Sequence, residues 1–124
     1  MASKEHLKIL MGGRSLWQQW RAEHPEVTPD LKGASLNGLE VDFDLSGTNF
    51  PGADLSDANI AVASLADANL ANANLTRADV GMSNLERAVL YKATLGGAQF
   101  DDSHLKHVDL RGARCISRIF VERT

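Results

Sequence analysis

A few side chains in this 124-residue chain have the chemistry for a reaction or a metal. His104 and His107 stand in an H-x-x-H arrangement beside Asp101 and Asp102, the pattern of two imidazole ligands with carboxylates at hand. The histidines precede and follow Leu105, however, and the motif supplies no third fixed ligand, so no metal site is expected there. Cys115 is the single thiol, which excludes an intramolecular disulfide framework. The serines are scattered without a base in the same motif, no glycine-rich phosphate loop follows a strand, and no carboxylate pair marks a pocket. The sequence therefore reads as a chain that is not an enzyme and takes no cofactor.

Charge narrows the partners. Thirteen Lys and Arg against sixteen Asp and Glu leave a net charge of -3, too weak a field to gather nucleic acid or anionic lipid. The apolar run from Leu7 to Met11 is too short for a signal-peptide core or a membrane span, so no membrane association is expected and the cytosol is the expected compartment.

What positions these residues is a repeat. A bulky apolar side chain recurs at every fifth position: Leu45, Phe50, Leu55, Ile60, Leu65, Leu70, Leu75, Val80, Leu85, Leu90, Leu95, Phe100, Leu105 and Leu110, then Cys115 and Phe120. Two residues before most centres stands a small residue, such as Ala53, Ala73 or Ser83, and immediately before many stands Asp or Asn. The unit is Ala-(Asp/Asn)-Leu-x-x. A period of five fits neither regular element: a helix would throw successive centres about 140° apart, and a flat strand would put them on alternate faces. Every centre is buried only if each unit turns the chain by a constant angle, closing a coil around an interior line of leucines. Asn and Asp suit such a chain because their side chains bond backbone groups nearby and favour turns. The expected class is an all-β solenoid, with these centres as its core, Cys115 as a buried small apolar group among them, and both x positions on the surface.

The tandem unit, from about residue 31 to residue 118, resembles the pentapeptide-repeat family. The resemblance implies a right-handed quadrilateral β-helix with four units per coil, here about four coils. It also implies two functional classes. One is a non-catalytic protein-protein interaction or scaffold module with an unidentified protein partner. The other is a DNA mimic that binds a type II topoisomerase such as gyrase. Residues 45–118 carry eight acids against seven bases, a poor balance for imitating a duplex.

Upstream, Leu31, Leu36 and Val41 keep the spacing, but Val41 to Leu45 is four. The missing residue suggests a tightened corner in the first coil, with Leu39 and Phe43 filling inward positions that alanine would leave empty. Residues 1–30 read as a helical cap: Leu7, Leu10 and Met11 have helical spacing, Gly12-Gly13 breaks the run, and Ser15 is the expected N-cap of a second helix carrying Leu16, Trp17 and Trp20. At the other end, in the tail 119–124, Ile119, Phe120 and Val121 either fold over the terminal coil or meet a second copy of the chain, a homodimer through the C-terminal coil. On the surface, Val62 with Met82 and Val89 with Tyr91 are candidate apolar patches.

Overall fold

The computed structural model describes residues 3–115. Its regularity comes from one backbone device. The second residue after every centre but Val41, from Gly33 and Gly38 through Asp57, Asn72 and Arg77 to His107 and Gly112, has positive φ, sixteen positions among the described residues. A left-handed residue at that point turns the chain through a corner, and the carbonyl of the centre then accepts the amide N–H three residues on, as Leu70 does from Ala73 at 3.0 Å. The Asx side chains act as the sequence implies. Asn74 Oδ1 accepts from the Thr76 N–H at 3.0 Å, and nine such bonds recur between Asp30 and Arg111.

Each turn leaves the residue before the centre extended, and it pairs in parallel with the residue one coil further on. From Asp44↔Ser64 to Thr94↔Arg114 the offset is twenty residues, four units. The three pairs before it, Asp30↔Asn49, Ser35↔Asp54 and Glu40↔Asn59, are offset by nineteen. The irregularity is thus a single corner. Asp42 alone connects Val41 to Phe43, where every later corner has two residues.

Inside the coils the centres from Leu31 to Phe100 are buried, and so are the alanines beside them. Ser83 and Ser103 replace alanine in one column and donate to carbonyls of the preceding coil, Ile60 at 2.9 Å and Val80 at 2.6 Å. Thr48 takes an alanine place too, fully buried, and its Oγ1 has no partner. Phe43 is buried as expected and Leu39 is half-buried.

Helix α1, Lys4–Met11, and helix α2, Arg14–Glu23, pack against the first coil. Ser3 caps α1 and its N–H bonds the Asp30 carbonyl at 3.0 Å. Trp17 Nε1 donates to the Asp44 carbonyl at 2.8 Å and Arg21 to that of Ser46 at 2.8 Å. Trp17 meets Phe43, ring centres 6.3 Å apart, so the oversized residue at the short corner is covered by the helical segment.

The structure corrects several expectations. Leu110 is exposed and Leu105 only half-buried, and Cys115 is exposed, because no described residue stacks above this last coil. Leu16 is exposed: Trp17 and Trp20 take the inward face of α2, and Leu10 from α1 supplies the third buried group. The N-cap of α2 is Gly13, at φ 101°, rather than Ser15; that positive angle is open to glycine, and Gly12 with Gly13 links the two helices. Finally, only the second x position is exposed throughout. The first is buried at Ser56, Gly81 and Gly96 and half-buried in most central units. Ile119, Phe120 and Val121 lie outside the described residues.

Candidate functional site

The body of the stack is filled by side chains, so the groups that could meet a partner are those on the left-handed turn positions. In two columns stacked coils join by ion pairs: Arg77 to Asp57 and Arg87 to Asp67, each through two nitrogens at 2.7–3.0 Å. The bonded guanidinium holds each carboxyl below its ordinary value of 3.8 and raises the arginine in turn. Asp109 is lowered likewise by Arg111, and Asp54 by the Ser56 hydroxyl and amide. These are ordinary solvated pairs, and they leave those columns electrically quiet.

Tyr91 is covered by cations, Lys92 Nζ at 5.3 Å and the Arg111 guanidinium at 5.6 Å from the ring centre, and Val89 is half-buried. That pair is no open apolar patch. Val62 and Met82 are different. Both stand one coil apart on left-handed positions, 60% and 61% exposed. Below Val62 the short corner supplies no residue to stack on, and the space opens into a groove of about 640 Å³. Met11 and Arg14 from the helix junction line it with Leu39, Asp42, Phe43 and Val62. Arg14 pairs with Asp42 across its rim.

His104 and His107 are exposed on either side of Leu105, and His107 occupies a left-handed turn position. Among the described residues no three His, Cys, Asp or Glu side chains come together to hold a metal. No helix among them is long and apolar enough to cross a membrane.

The family profile Pentapeptide repeats (8 copies) matches residues 42–77, 54–90 and 83–114. The chain belongs to the pentapeptide-repeat family. A pentapeptide repeat protein of the Arabidopsis thaliana thylakoid lumen is 29% identical, with a TM-score of 0.57 over 66% of this chain and 60% of its own. A second, from the cyanobacterium Cyanothece 51142, is 26% identical with a TM-score of 0.39, over 67% of this chain and 64% of its own. HetL, involved in heterocyst differentiation regulation in the cyanobacterium Nostoc sp. strain PCC 7120, is 26% identical with a TM-score of 0.33, over 70% of this chain and 60% of its own. This pentapeptide-repeat chain therefore spans less than two thirds of the length of these structures. No curated protein matches it. Its coils form the right-handed β-helix of the family.

Three site features of this pentapeptide-repeat protein escape sequence reasoning. The groove is one: a missing residue announces a corner, but only the stacking shows that it undercuts Val62. Arg14 and Arg21 are the second, since their partners lie 28 and 25 residues away. Thr48 is the third; its place two before Phe50 marks it as inward-facing, and the signal was there to read.

Proposed function

We propose that this pentapeptide-repeat protein is a non-catalytic protein-protein interaction or scaffold module. Its body is a four-sided β-helix of about four coils beginning at residue 31, and the described residues 3–30 form a helical lid. The tail, residues 119–124, lies outside the described residues. Support for the coil count is the continuous column Asp30, Asn49, Asn69, Val89, Asp109, linked by four successive pairings. Support for the lid is the set of bonds from Ser3, Trp17 and Arg21 to the first coil. The observation that carries the functional reading is the sorting of side chains: centres from Leu31 to Phe100 fill the interior, while sixteen left-handed turn residues, interrupted at the short corner, stand outside. Such a body offers mostly surface for contact, and among the described residues no histidine, cysteine or serine lines the groove beside Val62. The lone cysteine supports the cytosol as its compartment.

Affinity capture from the native cell tests the reading. Retention of a specific protein that excess untagged protein displaces is the expected result; no such protein in repeated captures ends the proposal. The DNA-mimic alternative is disfavoured by Arg77 and Arg87, which neutralise Asp57 and Asp67, and a gyrase supercoiling assay unaffected at tens of micromolar protein removes it. A C-terminal homodimer draws support from Leu110, 43% exposed on the last described coil. A monomer mass by light scattering at similar concentration removes that one.

A further inference from the structure

The face that starts at the short corner is unlike the rest of the surface. The three most exposed large apolar side chains among the described residues are Met11, Met82 and Val62, at 63%, 61% and 60%. Met11 and Val62 line the same groove, and Met82 continues it one coil on. Asp102 follows Met82 in the same column, beside Asp101. At the opposite end the groove is lined by Glu40 and Asp42. The strip therefore runs acidic, apolar, apolar, acidic along the rod. At about 4.8 Å per coil it is roughly 14 Å from the Asp42 level to Asp102. Arg14 answers Asp42, while Glu40, Asp101 and Asp102 make no ion pair among the described residues.

We propose that this face binds an extended segment of a protein partner in which apolar side chains are flanked on both sides by Lys or Arg. The proposal rests on the interaction-module reading and names the chemistry of its partner. Charge complementarity selects the occupant: cations at the segment's ends meet Glu40 at one end and Asp101 with Asp102 at the other. Length agrees, since about five extended residues at ~3.3 Å apiece cover the strip with alternate side chains turned toward the rod. A second copy of the chain does not fit. A two-fold contact over this face would set Glu40 and Asp42 against Asp101 and Asp102, like charge on like charge. Phosphate backbones meet the same acids.

The test uses the full chain and a labelled heptapeptide, Lys-Lys-Leu-Ser-Leu-Lys-Lys, in fluorescence polarisation. Controls replace its leucines by serine or its lysines by glutamate. Protein variants are the double substitution Val62→Asn with Met82→Asn, which removes the apolar pair with a residue suited to left-handed φ and so keeps the turns, and Glu40→Gln with Asp102→Asn. Saturable binding of the heptapeptide alone is expected, weakened about tenfold by either double variant, and with added salt for the wild type. Equal binding of the control peptides, equal binding by the Val62/Met82 variant, or no binding by the wild type overturns the proposal. Capture from the native cell separates the two readings. A partner held equally by wild type and the Val62/Met82 variant sinks this face and leaves the module standing; no partner for either sinks both.

Discussion

The two ends of the stack are built from the same unit and meet water differently. At the first coil Leu31 is fully buried and Leu36 nearly so, under Leu10 and Trp17 from the helices. The edge groups are answered as well: the Asp44 and Ser46 carbonyls accept from Trp17 and Arg21, and the Asp30 N–H donates to His6 Nδ1 at 2.9 Å. In the last described coil Leu105 is half-buried and Leu110 is 43% exposed, though both occupy centre positions as regular as Leu31's. A repeat unit thus directs a side chain toward the axis, but the neighbouring layer is what removes it from water. Burial in a solenoid is a property of pairs of coils.

That contrast is easiest to break by making one substitution at three depths. Leu75→Asp places a carboxylate on the axis with coils on either side and no partner, which costs several kcal/mol and unfolds the rod. Leu110→Asp, at the open end, is expected to leave a folded protein with a lower midpoint, and Asn72→Asp, on an exposed turn, to be nearly neutral. Urea unfolding followed by far-UV circular dichroism ranks the three; equal midpoints for Leu75→Asp and Leu110→Asp would refute the difference between the ends. Next in size is Trp17→Ala. It removes a fully buried ring that also satisfies the Asp44 carbonyl, for a loss of about 3–5 kcal/mol. A loss below about 1 kcal/mol in the same titration means the helices do not hold the first coil.

How far the sequence foretold this depends on whether a feature lives within one unit or between units. The period, the inward alanines and the Asx side chains act within five residues, and each is legible because Asn74 needs only Thr76 to do its work. The one-residue slip was legible as a number, and its account as a tightened corner agrees with the nineteen-residue pairings. The exposure of Leu110 and Cys115 was not legible, since it depends on what lies above them. Nor was the groove: it takes the stacking of Val62 over a corner that lacks a residue, plus Met11 and Arg14 brought up from the helix junction. Leu16 was misplaced for a simpler reason. Its neighbour Trp17 has the same apolar character and the more useful angle, and composition does not choose between adjacent positions.

Two gains of stability sharpen the comparison between the first coil and those above it, because both sit where the first coil departs from the pattern. Thr48 lies at the first regular inward place after the short corner and buries an unpartnered hydroxyl where the next two coils have Ala68 and Ala88. Thr48→Val keeps the shape and discards the hydroxyl, so a gain of about 1–2 kcal/mol is expected in urea unfolding. An unchanged midpoint means the hydroxyl is satisfied in solution. Val62 is a β-branched residue at φ 69°, a conformation that its side chain disfavours. Val62→Asn is expected to raise stability by about 1 kcal/mol while removing apolar surface from the groove. If the variant is less stable, Val62 packs on its neighbours more than its exposure suggests.

The smallest effect belongs to the middle coils and appears only in acid. Asp57 and Asp67 are held below 3.8 by Arg77 and Arg87, so each binds its proton less readily folded than unfolded. The stability linked to them is present above 3.8 and is lost as the pH falls below that value toward the folded one. Both pairs are solvated, with side chains 46–63% exposed, so salt screens them and the change in midpoint is slight. Asp57→Asn isolates the contribution. Its thermal midpoint should lie a little below the wild type at about pH 7, and the gap should narrow as the pH falls below 3.8 and the wild-type carboxylate takes up its proton. A gap of constant width across that range assigns the loss to packing of the Arg77 stem rather than to charge, and the middle of the rod then owes its cohesion to the ladder and the leucines alone.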